Sequence, residues 1–340
     1  MNAVGFDLGS SSLKIMEASK EGDKYRALQA LEFANPFGVM IPPDAAQLEQ
    51  LAGMLKQVLH EHKLPLGSIR TALPESLIST KIISTPTLTD AELASAIDWL
   101  AEQHIAIPLE ELKIEYEVLY RPDKSKSNDQ NMRVMLIGVP KRVVTSYLKV
   151  FELMEVEPVV METQVLAALR PVINDQLPTT LLVHMGASST ELVIVHEREI
   201  VFVYSFASGG RLLTRSIERG LNLDTQQAEE YKKSYGVDPQ FLEGKLVRIL
   251  DPVMRLFVNE MQKALQYFTG QFGTLRVKRI VFSGGGANLQ GIIPFFASQF
   301  DQEVVVANPF DRFVSDVKTP IPTDRAPSFD VSCGLVLRDI

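Results

Sequence analysis

Apolar runs broken by small and polar residues open the chain. Residues 4–8 are apolar apart from Asp7, residues 9–12 are a glycine and three serines, and apolar residues resume at Leu13. This order predicts a strand, a tight turn and a second strand. Residues 183–189 repeat the order apolar, polar, apolar, glycine, small, serine, serine, and they too run into an apolar stretch. Two matching hairpins predict two similar lobes that face each other across a cleft.

Apolar residues elsewhere recur at strand or helix spacing. Helix starts are marked by the capping pairs Asp44 with Gln47, Thr89 with Glu92 and Asp224 with Gln227. Further helices are predicted at residues 141–154, 165–173, 211–220, 252–268 and 327–338. Further strands are predicted at residues 25–33, 69–73, 81–85, 112–120, 132–139, 200–206 and 279–282. Strands with covering helices indicate the α/β class.

The order of these elements divides the chain into two lobes and an insertion. We expect the first lobe at residues 1–78 and 310–340, an inserted small subdomain at residues 79–155 and the second lobe at residues 156–309. Residues 121–131 are polar and predict an exposed hairpin loop within the insertion. The small residues 332–334 predict close packing of the last helix against the first lobe.

Composition excludes several classes of protein. The 340 residues are 46% hydrophobic and carry a net charge of −8 without clustered lysine or arginine, so no nucleic-acid partner is expected. We find neither an apolar run near the roughly 18 residues of a membrane helix nor a signal segment, which predicts a cytoplasmic protein. Cys333 is the single cysteine, so the sequence predicts neither an internal disulfide nor a zinc cluster.

The first turn has the composition of a phosphate-binding loop. Small residues let backbone N–H groups converge on an anion, while hydroxyls add donors and lysine adds charge. The candidates are Gly9, Ser10, Ser11, Ser12 and Lys14. Asp7, on the strand before the turn, is placed to hold hydrated Mg²⁺ or to orient an attacking water. On these turn residues alone, an ordinary β-hairpin is the favoured interpretation.

The recurrence of the turn shifts that interpretation toward a shared anion site. The second turn adds the candidates Gly186, Ala187, Ser188 and Ser189. Glu229 and Lys232, three apart on one helix face, form either a plain ion pair or a contact to a ribose, and the spacing alone favours the ion pair.

Three consecutive glycines follow the predicted strand at residues 279–282. Ordering Gly284, Gly285 and Gly286 is entropically unfavourable, so a flat backbone surface for a ligand ring or phosphate is the simplest explanation. Glu162 and Gln164 begin the helix that joins the lobes, where they either orient a water in the cleft or remain solvated.

The order of these motifs resembles the nucleotide fold of actin, sugar kinases and heat-shock chaperones, with its ribonuclease H-like lobes. Within that group the chain is similar to the type IV pilus assembly protein PilM family. The resemblance is carried by residues 6–14, residues 98–105 with Pro108, Gly209 and Gly210, residues 228–230, residues 307–310, and residues 326–327 and 331–335. The insertion corresponds to the small subdomain shared with the cell-division protein FtsA.

The resemblance implies an actin-like protein that binds ATP with Mg²⁺ between its lobes. It further implies a place at the cytoplasmic face of the inner membrane, reached through the N-terminal cytoplasmic tail of PilN and other pilus platform proteins, with self-association as an open possibility. The two turns, with Gly209 and Gly210 beside them, would take the phosphates, and Asp7 the hydrated metal. Glu229 and Lys232 would flank the ribose, while Gly284, Gly285, Gly286 and Asn288 would face the adenosine.

One departure from the family pattern bears on catalysis. His184 stands where the second turn usually begins with an aspartate, and imidazole is a poor partner for hydrated Mg²⁺. We therefore expect ATP binding with at most weak hydrolysis, with Asp7 and Glu162 as candidate catalytic residues. A small-molecule kinase and an FtsA-like filament former are the alternatives, although no second-lobe aspartate suits a kinase. The absence of an amphipathic tail after Asp339 argues against direct membrane binding.

Overall fold

The structure is a computed structural model that describes residues 2–122, 130–174, 177–315 and 322–338. Most of the loop predicted at residues 121–131 lies outside this description. The strands are β1 (Asn2–Leu8), β2 (Ser12–Glu21), β3 (Lys24–Ala34), β4 (Ile69–Leu73), β5 (Ser79–Pro86), β6 (Leu112–Tyr120), β7 (Asn131–Pro140), β8 (Val160–Thr163), β9 (Thr180–Met185), β10 (Thr190–His196), β11 (Glu199–Phe206), β12 (Arg279–Ser283), β13 (Glu303–Val306) and β14 (Phe313–Ser315). The α-helices are α1 (Ala45–Glu61), α2 (Asp90–His104), α3 (Lys141–Leu153), α4 (Gln164–Leu169), α5 (Gly210–Leu221), α6 (Thr225–Tyr235), α7 (Lys245–Phe272), α8 (Ile292–Ala297) and α9 (Asp330–Val336).

Two larger sheets repeat one arrangement of strands. The six-stranded sheet has the order β14-β3-β2-β1-β4-β8, and the five-stranded sheet has the order β11-β10-β9-β12-β13. In the first, β1 pairs antiparallel with β2 and parallel with β4. In the second, β9 pairs antiparallel with β10 and parallel with β12. Each sheet therefore presents a glycine-serine turn, β1 to β2 or β9 to β10, beside a parallel strand.

Local sequence signals explain most element boundaries. The side chains of Asp44, Thr89 and Asp224 accept hydrogen bonds from the backbone N–H of the third residue beyond, and the last two form complete capping boxes. Helix α7 begins at Lys245, seven residues before the predicted start at Pro252, because Leu246 and Leu250 are buried in the second-lobe core. Tertiary packing thus extends the helix upstream of the proline.

The inserted subdomain has a sheet and a core of its own. Its strands have the order β5-β7-β6, and Leu93 and Leu100 of α2 pack on them. Helix α3, however, packs against α1, and its Phe151 meets Phe6 of β1 edge to face with ring centroids 6.3 Å apart. Strand β8 pairs with β4 of the first lobe. We therefore propose that the insertion ends at residue 140 and that residues 141–163 belong to the first lobe. The sequence predicts residues 141–155 in the insertion and residues 156–163 in the second lobe.

Helix α9 carries the end of the chain into the interior. It is fully buried and packs against α4, β1, β2 and β4. The helix is shorter than predicted and follows a 3-10 turn at Thr323–Phe329. A Cβ on Gly334 would overlap the backbone of Ala167, so the small residue permits the close approach to α4. Within the described residues, we find no helix with the length and apolar character that crossing a membrane requires.

Candidate functional site

A cleft of about 560 Å³ lies between the lobes and is lined by both glycine-serine turns. Its volume falls in the range of small-ligand sites. The predicted residues that line it are Asp7, Gly9, Ser10, Ser11, Ser12, Lys14, Gly186, Ala187, Ser188, Ser189, Gly210, Glu229, Lys232, Gly284, Gly285, Gly286 and Asn288. The structure thus brings these side chains and turns together, while their contacts with a nucleotide stay a prediction.

The two turns touch at the centre of the cleft. Ser10 Oγ and Ser188 Oγ are 2.8 Å apart, at hydrogen-bonding distance. The Arg211 guanidinium donates to the Ser10 carbonyl at 2.6 Å and to Ser188 Oγ at 3.3 Å. Arg211, at the start of α5, was missed from the sequence, because nothing in its neighbourhood indicates a partner on the other lobe. It joins the turns and adds positive charge where an anion would bind.

Each glycine at the cleft serves a particular need. A Cβ on Gly9 would lie 2.6 Å from the Ser12 carbonyl oxygen, and one on Gly186 would lie 3.1 Å from the Ser189 carbonyl oxygen, so both turns close tightly. Gly209 is not among the residues that line the cleft, because it packs against Gly186 and supports the second turn.

The three consecutive glycines divide their roles. Gly284 has φ of +75°, which favours glycine, and Gly286 packs against the Met185 side chain. Of these three glycines, Gly285 is the one at which an added Cβ would meet no atom within 4 Å. Asn288 donates from its amide to Ser328 Oγ at 2.7 Å. Open space for a ligand is therefore found at one glycine of the three.

Glu229 and Lys232 are both an ion pair and part of the cleft wall. Lys232 Nζ lies 2.6 Å from Glu229 Oε2 and donates to Thr214 Oγ1 at 2.9 Å. Burial would raise the pKa of Glu229, but Lys232 and the Thr214 hydroxyl hold it below its usual value. The two interpretations left open by the sequence are therefore compatible.

The first hairpin places an acid and a base opposite each other. Asp7 of β1 and Lys14 of β2 are cross-strand partners, with Lys14 Nζ 3.5 Å from Asp7 Oδ2. Both residues are buried. Burial raises the pKa of Asp7, against the opposing effects of Lys14 and His184.

The second hairpin places His184 among carboxylates. His184 Nδ1 lies 2.6 Å from Asp330 Oδ2, and Nε2 lies 4.0 Å from Oε2 of its cross-strand partner Glu191. Burial alone would lower the pKa of His184, but Asp330 and Glu191 raise it to about 9. The two carboxylates therefore favour the protonated form of the imidazole. Asp330, from α9, was also missed by sequence reasoning, because it lies 146 residues from His184 along the chain.

Two buried carboxylates keep an unpartnered oxygen. Within the described residues, Glu75 Oε1 and Glu191 Oε2 have no hydrogen-bond partner. Burial, with Glu191 nearby, raises the pKa of Glu75 to about 7, against the hydrogen bond from Thr80. Glu191 lines the cleft, and burial raises its pKa against the effect of His184.

Glu162 does not belong to the cleft, which corrects its assignment as a candidate catalytic residue. Its carboxylate accepts two hydrogen bonds from Arg170, each at 2.8 Å, and one from Arg338 at 2.7 Å. Those bonds occupy the carboxylate in a cluster with the end of the chain. Gln164 lines the cleft instead, with its side-chain amide 3.2 Å from His184 Nε2.

Comparison with known proteins identifies the fold. The type IV pilus assembly protein PilM family matches residues 5–340. A chain of a solved PilM-PilN type IV pilus biogenesis complex is 24% identical, with a TM-score of 0.86 over 98% of this chain and 97% of that one. The ethanolamine utilization protein EutJ from Carboxydothermus hydrogenoformans is 14% identical, with a TM-score of 0.58 over 99% and 89% of the two chains. These matches confirm the predicted actin-like α/β fold.

Another relative matches the chain over only part of the relative's own length. Cell division protein FtsA of Streptococcus pneumoniae serotype 2 (strain D39 / NCTC 7466) is 21% identical over 257 residues, which is 68% of this chain and 55% of FtsA. The chain thus spans about half the length of this relative.

Proposed function

The chain belongs to the type IV pilus assembly protein PilM family, and from that premise we propose that it is an ATP-binding scaffold of the pilus assembly platform. One observation supports nucleotide binding most strongly. Two glycine-serine turns of the same pattern meet at Ser10 and Ser188 over a cleft of about 560 Å³. Converging backbone N–H groups with nearby cations form a site suited to polyphosphate.

Different residues at the cleft would bind different parts of the nucleotide. The turns at residues 9–12 and 186–189 would bind the phosphates through backbone N–H groups, with positive charge from Lys14 and Arg211. The Gly186 N–H is not one of these groups, because it donates to the Ser189 carbonyl at 3.0 Å. Glu229 and Lys232 would flank the ribose. The open backbone face at Gly285 would receive the adenine ring, because no side chain stands above it.

The partner we propose is the N-terminal cytoplasmic tail of PilN. Two observations support this partner: the chain belongs to the PilM family, and it is similar over 98% of its length to a chain of a solved PilM-PilN complex. A peripheral place at the cytoplasmic face of the inner membrane follows from such a partner, as do contacts with other platform proteins. Self-association stays a prediction.

The alternative functions are less well supported. A small-molecule kinase needs an accessible carboxylate for the acceptor hydroxyl. Asp7 is paired with Lys14 and Asp330 with His184, and the Glu191 side chain is only 1% exposed. The likeness to FtsA is confined to 68% of this chain, while the PilM family matches residues 5–340. Neither alternative is therefore favoured.

A single substitution tests nucleotide binding at the predicted place. In Gly285→Leu the side chain would project into open space, so the fold should tolerate it while the adenine site is filled. We expect ATP affinity, measured by isothermal titration calorimetry, to fall at least about tenfold, or 1.4 kcal/mol. The matched control is Gly53→Leu on α1, where a Cβ also meets no atom within 4 Å and affinity should not change. Unaltered ATP binding by Gly285→Leu would contradict the proposed site.

A peptide titration tests the scaffold role. A synthetic PilN tail, labelled for fluorescence anisotropy, should bind saturably to the wild-type protein. The control is a scrambled peptide of the same composition, so that charge and hydrophobicity are matched. If the protein bound both peptides equally, the PilN assignment would fail.

A further inference from the structure

The two hairpins carry their charges in opposite order. In the first, the acid Asp7 is on the leading strand and the base Lys14 is its cross-strand partner. In the second, the base His184 is on the leading strand and the acid Glu191 is its cross-strand partner. Because the lobes face each other, Asp7 and His184 are close enough to shift each other's pKa. The base of the cleft is therefore a set of alternating charges.

His184 is the base of this set that the second hairpin supplies. Asp330 Oδ2 lies 2.6 Å from one ring nitrogen and Glu191 Oε2 lies 4.0 Å from the other, while Asp7 acts on it from the first lobe. The side chains of His184, Asp330 and Glu191 are at most 6% exposed. Buried carboxylates require a compensating positive charge. Between phosphate turns a divalent cation would supply that charge, and here a protein side chain does.

The donor set does not fit Mg²⁺. This ion takes oxygen ligands in octahedral geometry, usually carboxylates and water. Asp7 is paired with Lys14 and Asp330 with His184, and the position opposite Asp7 holds an imidazole instead of an oxygen donor. The unpartnered carboxylate oxygen at the cleft, Glu191 Oε2, lies 4.0 Å from His184 Nε2, so an ion beside it would meet the imidazole. In the described part of the chain, no three His, Cys, Asp or Glu side chains are arranged to hold a metal ion. A divalent ion placed beside Asp7 would also be repelled by the protonated His184.

We propose that His184, held by Asp330, takes the place of the divalent cation, so that the cleft binds a nucleoside triphosphate without Mg²⁺. This inference rests on the proposed nucleotide binding. The phosphate charge would be balanced by backbone N–H groups, Lys14 and Arg211, which line the cleft or belong to its turns.

The wild-type protein provides the direct test. ATP is titrated calorimetrically once in excess EDTA and once in excess MgCl₂ at equal ionic strength. We expect the two Kd values to agree within about threefold, because no metal ligand is lost on chelation. Affinity at least about tenfold weaker in EDTA would overturn the inference. Absence of binding in both buffers would overturn the proposed function, and this inference with it, whereas binding in MgCl₂ alone overturns only the inference.

Two variants separate the roles of the opposed residues. Asp7→Asn removes the one carboxylate predicted to hold metal, and we expect the same fold-change in ATP affinity in both buffers. A loss seen only in MgCl₂ would show that Asp7 holds the ion. His184→Asp places a second carboxylate opposite Asp7, and its ATP affinity should become at least about tenfold weaker in EDTA than in MgCl₂. If the His184→Asp variant does not fold, the Asp7→Asn result still tests whether the site holds a metal ion.

Discussion

The two glycine-serine hairpins have the same backbone arrangement but different charge patterns. Both have a tight turn between antiparallel strands, and both lie beside a parallel neighbour, β4 or β12. Yet the acid leads in the first hairpin, and the base leads in the second. Two tasks are therefore separate in the function we propose: the turn backbone would form the anion site, and the cross-strand pair would determine whether that site requires a metal ion.

The hairpins also differ in how firmly their charges are held. Lys14 and Asp7 lie 3.5 Å apart, with about a tenth of each side chain exposed to the cleft. His184 and Asp330 lie 2.6 Å apart, and Asp330 is wholly buried on α9, which packs on the first-lobe sheet. Because β9 belongs to the second lobe, this pair also joins the lobes. The second hairpin is therefore anchored through its charged side chain to α9, whereas the charges of the first hairpin pair with each other within the hairpin.

The largest expected effect comes from removing that anchor. Asp330→Asn leaves His184 buried without its carboxylate partner, which should lower the free energy of unfolding by about 3 to 5 kcal/mol. Urea denaturation at pH 7 measures the loss. Asp324→Asn, an exposed position at the cleft rim, is the control and should change stability by less than about 0.5 kcal/mol. Equal small effects would show that the pair does not anchor the hairpin.

The protonation of His184 predicts a pH dependence of stability. Its pKa is 6.5 in the unfolded chain and about 9 in the folded protein, so the charged form is stabilised on folding. That contribution, about 3 kcal/mol, is full below pH 6.5 and is lost as the pH rises toward 9. Urea denaturation of wild type and His184→Gln across this range should show the difference between them shrinking. A constant difference would mean that folding does not raise the pKa of His184.

The tightness of the two turns differs as well. An added Cβ would lie 2.6 Å from a backbone oxygen at Gly9 and 3.1 Å from one at Gly186. Gly9→Ala should therefore destabilise the protein by about 1 to 3 kcal/mol, and Gly186→Ala by less. Thermal unfolding of the two variants side by side provides the ranking. The reverse order would show that the second turn is the tighter one.

The smallest effect concerns the contact between the turns. The hydrogen bond between Ser10 Oγ and Ser188 Oγ should contribute about 1 kcal/mol. A double-mutant cycle with Ser10→Ala and Ser188→Ala isolates this coupling from other changes. Strictly additive single effects would indicate that the turns do not support each other.

The sequence predicted those parts of the fold and the site that a few adjacent residues determine. Both turns and the capping boxes at Thr89 and Asp224 occur where the pattern placed them, because a few adjacent residues determine each. Asp330 and Arg211 were missed because their partners lie on the other lobe. The partners of a buried charge depend on tertiary contacts, which one sequence does not display.

The same limit explains the wrong assignments. Glu162 is predicted at the start of the helix that joins the lobes, but it lies in β8, and Arg170 and Arg338 occupy its carboxylate. The short strands β13 and β14 were not predicted, because three or four residues carry little periodicity and the neighbouring strands determine their pairing.

Hydrogen–deuterium exchange tests whether the two hairpins form one nucleotide clamp. Exchange is followed in wild-type protein with and without saturating ATP, both in EDTA. We predict slower exchange of the backbone amides in residues 9–12 and in residues 186–189 together, because the phosphates would contact both turns. Protection of one turn alone, or of neither while ATP binds elsewhere, would contradict the account.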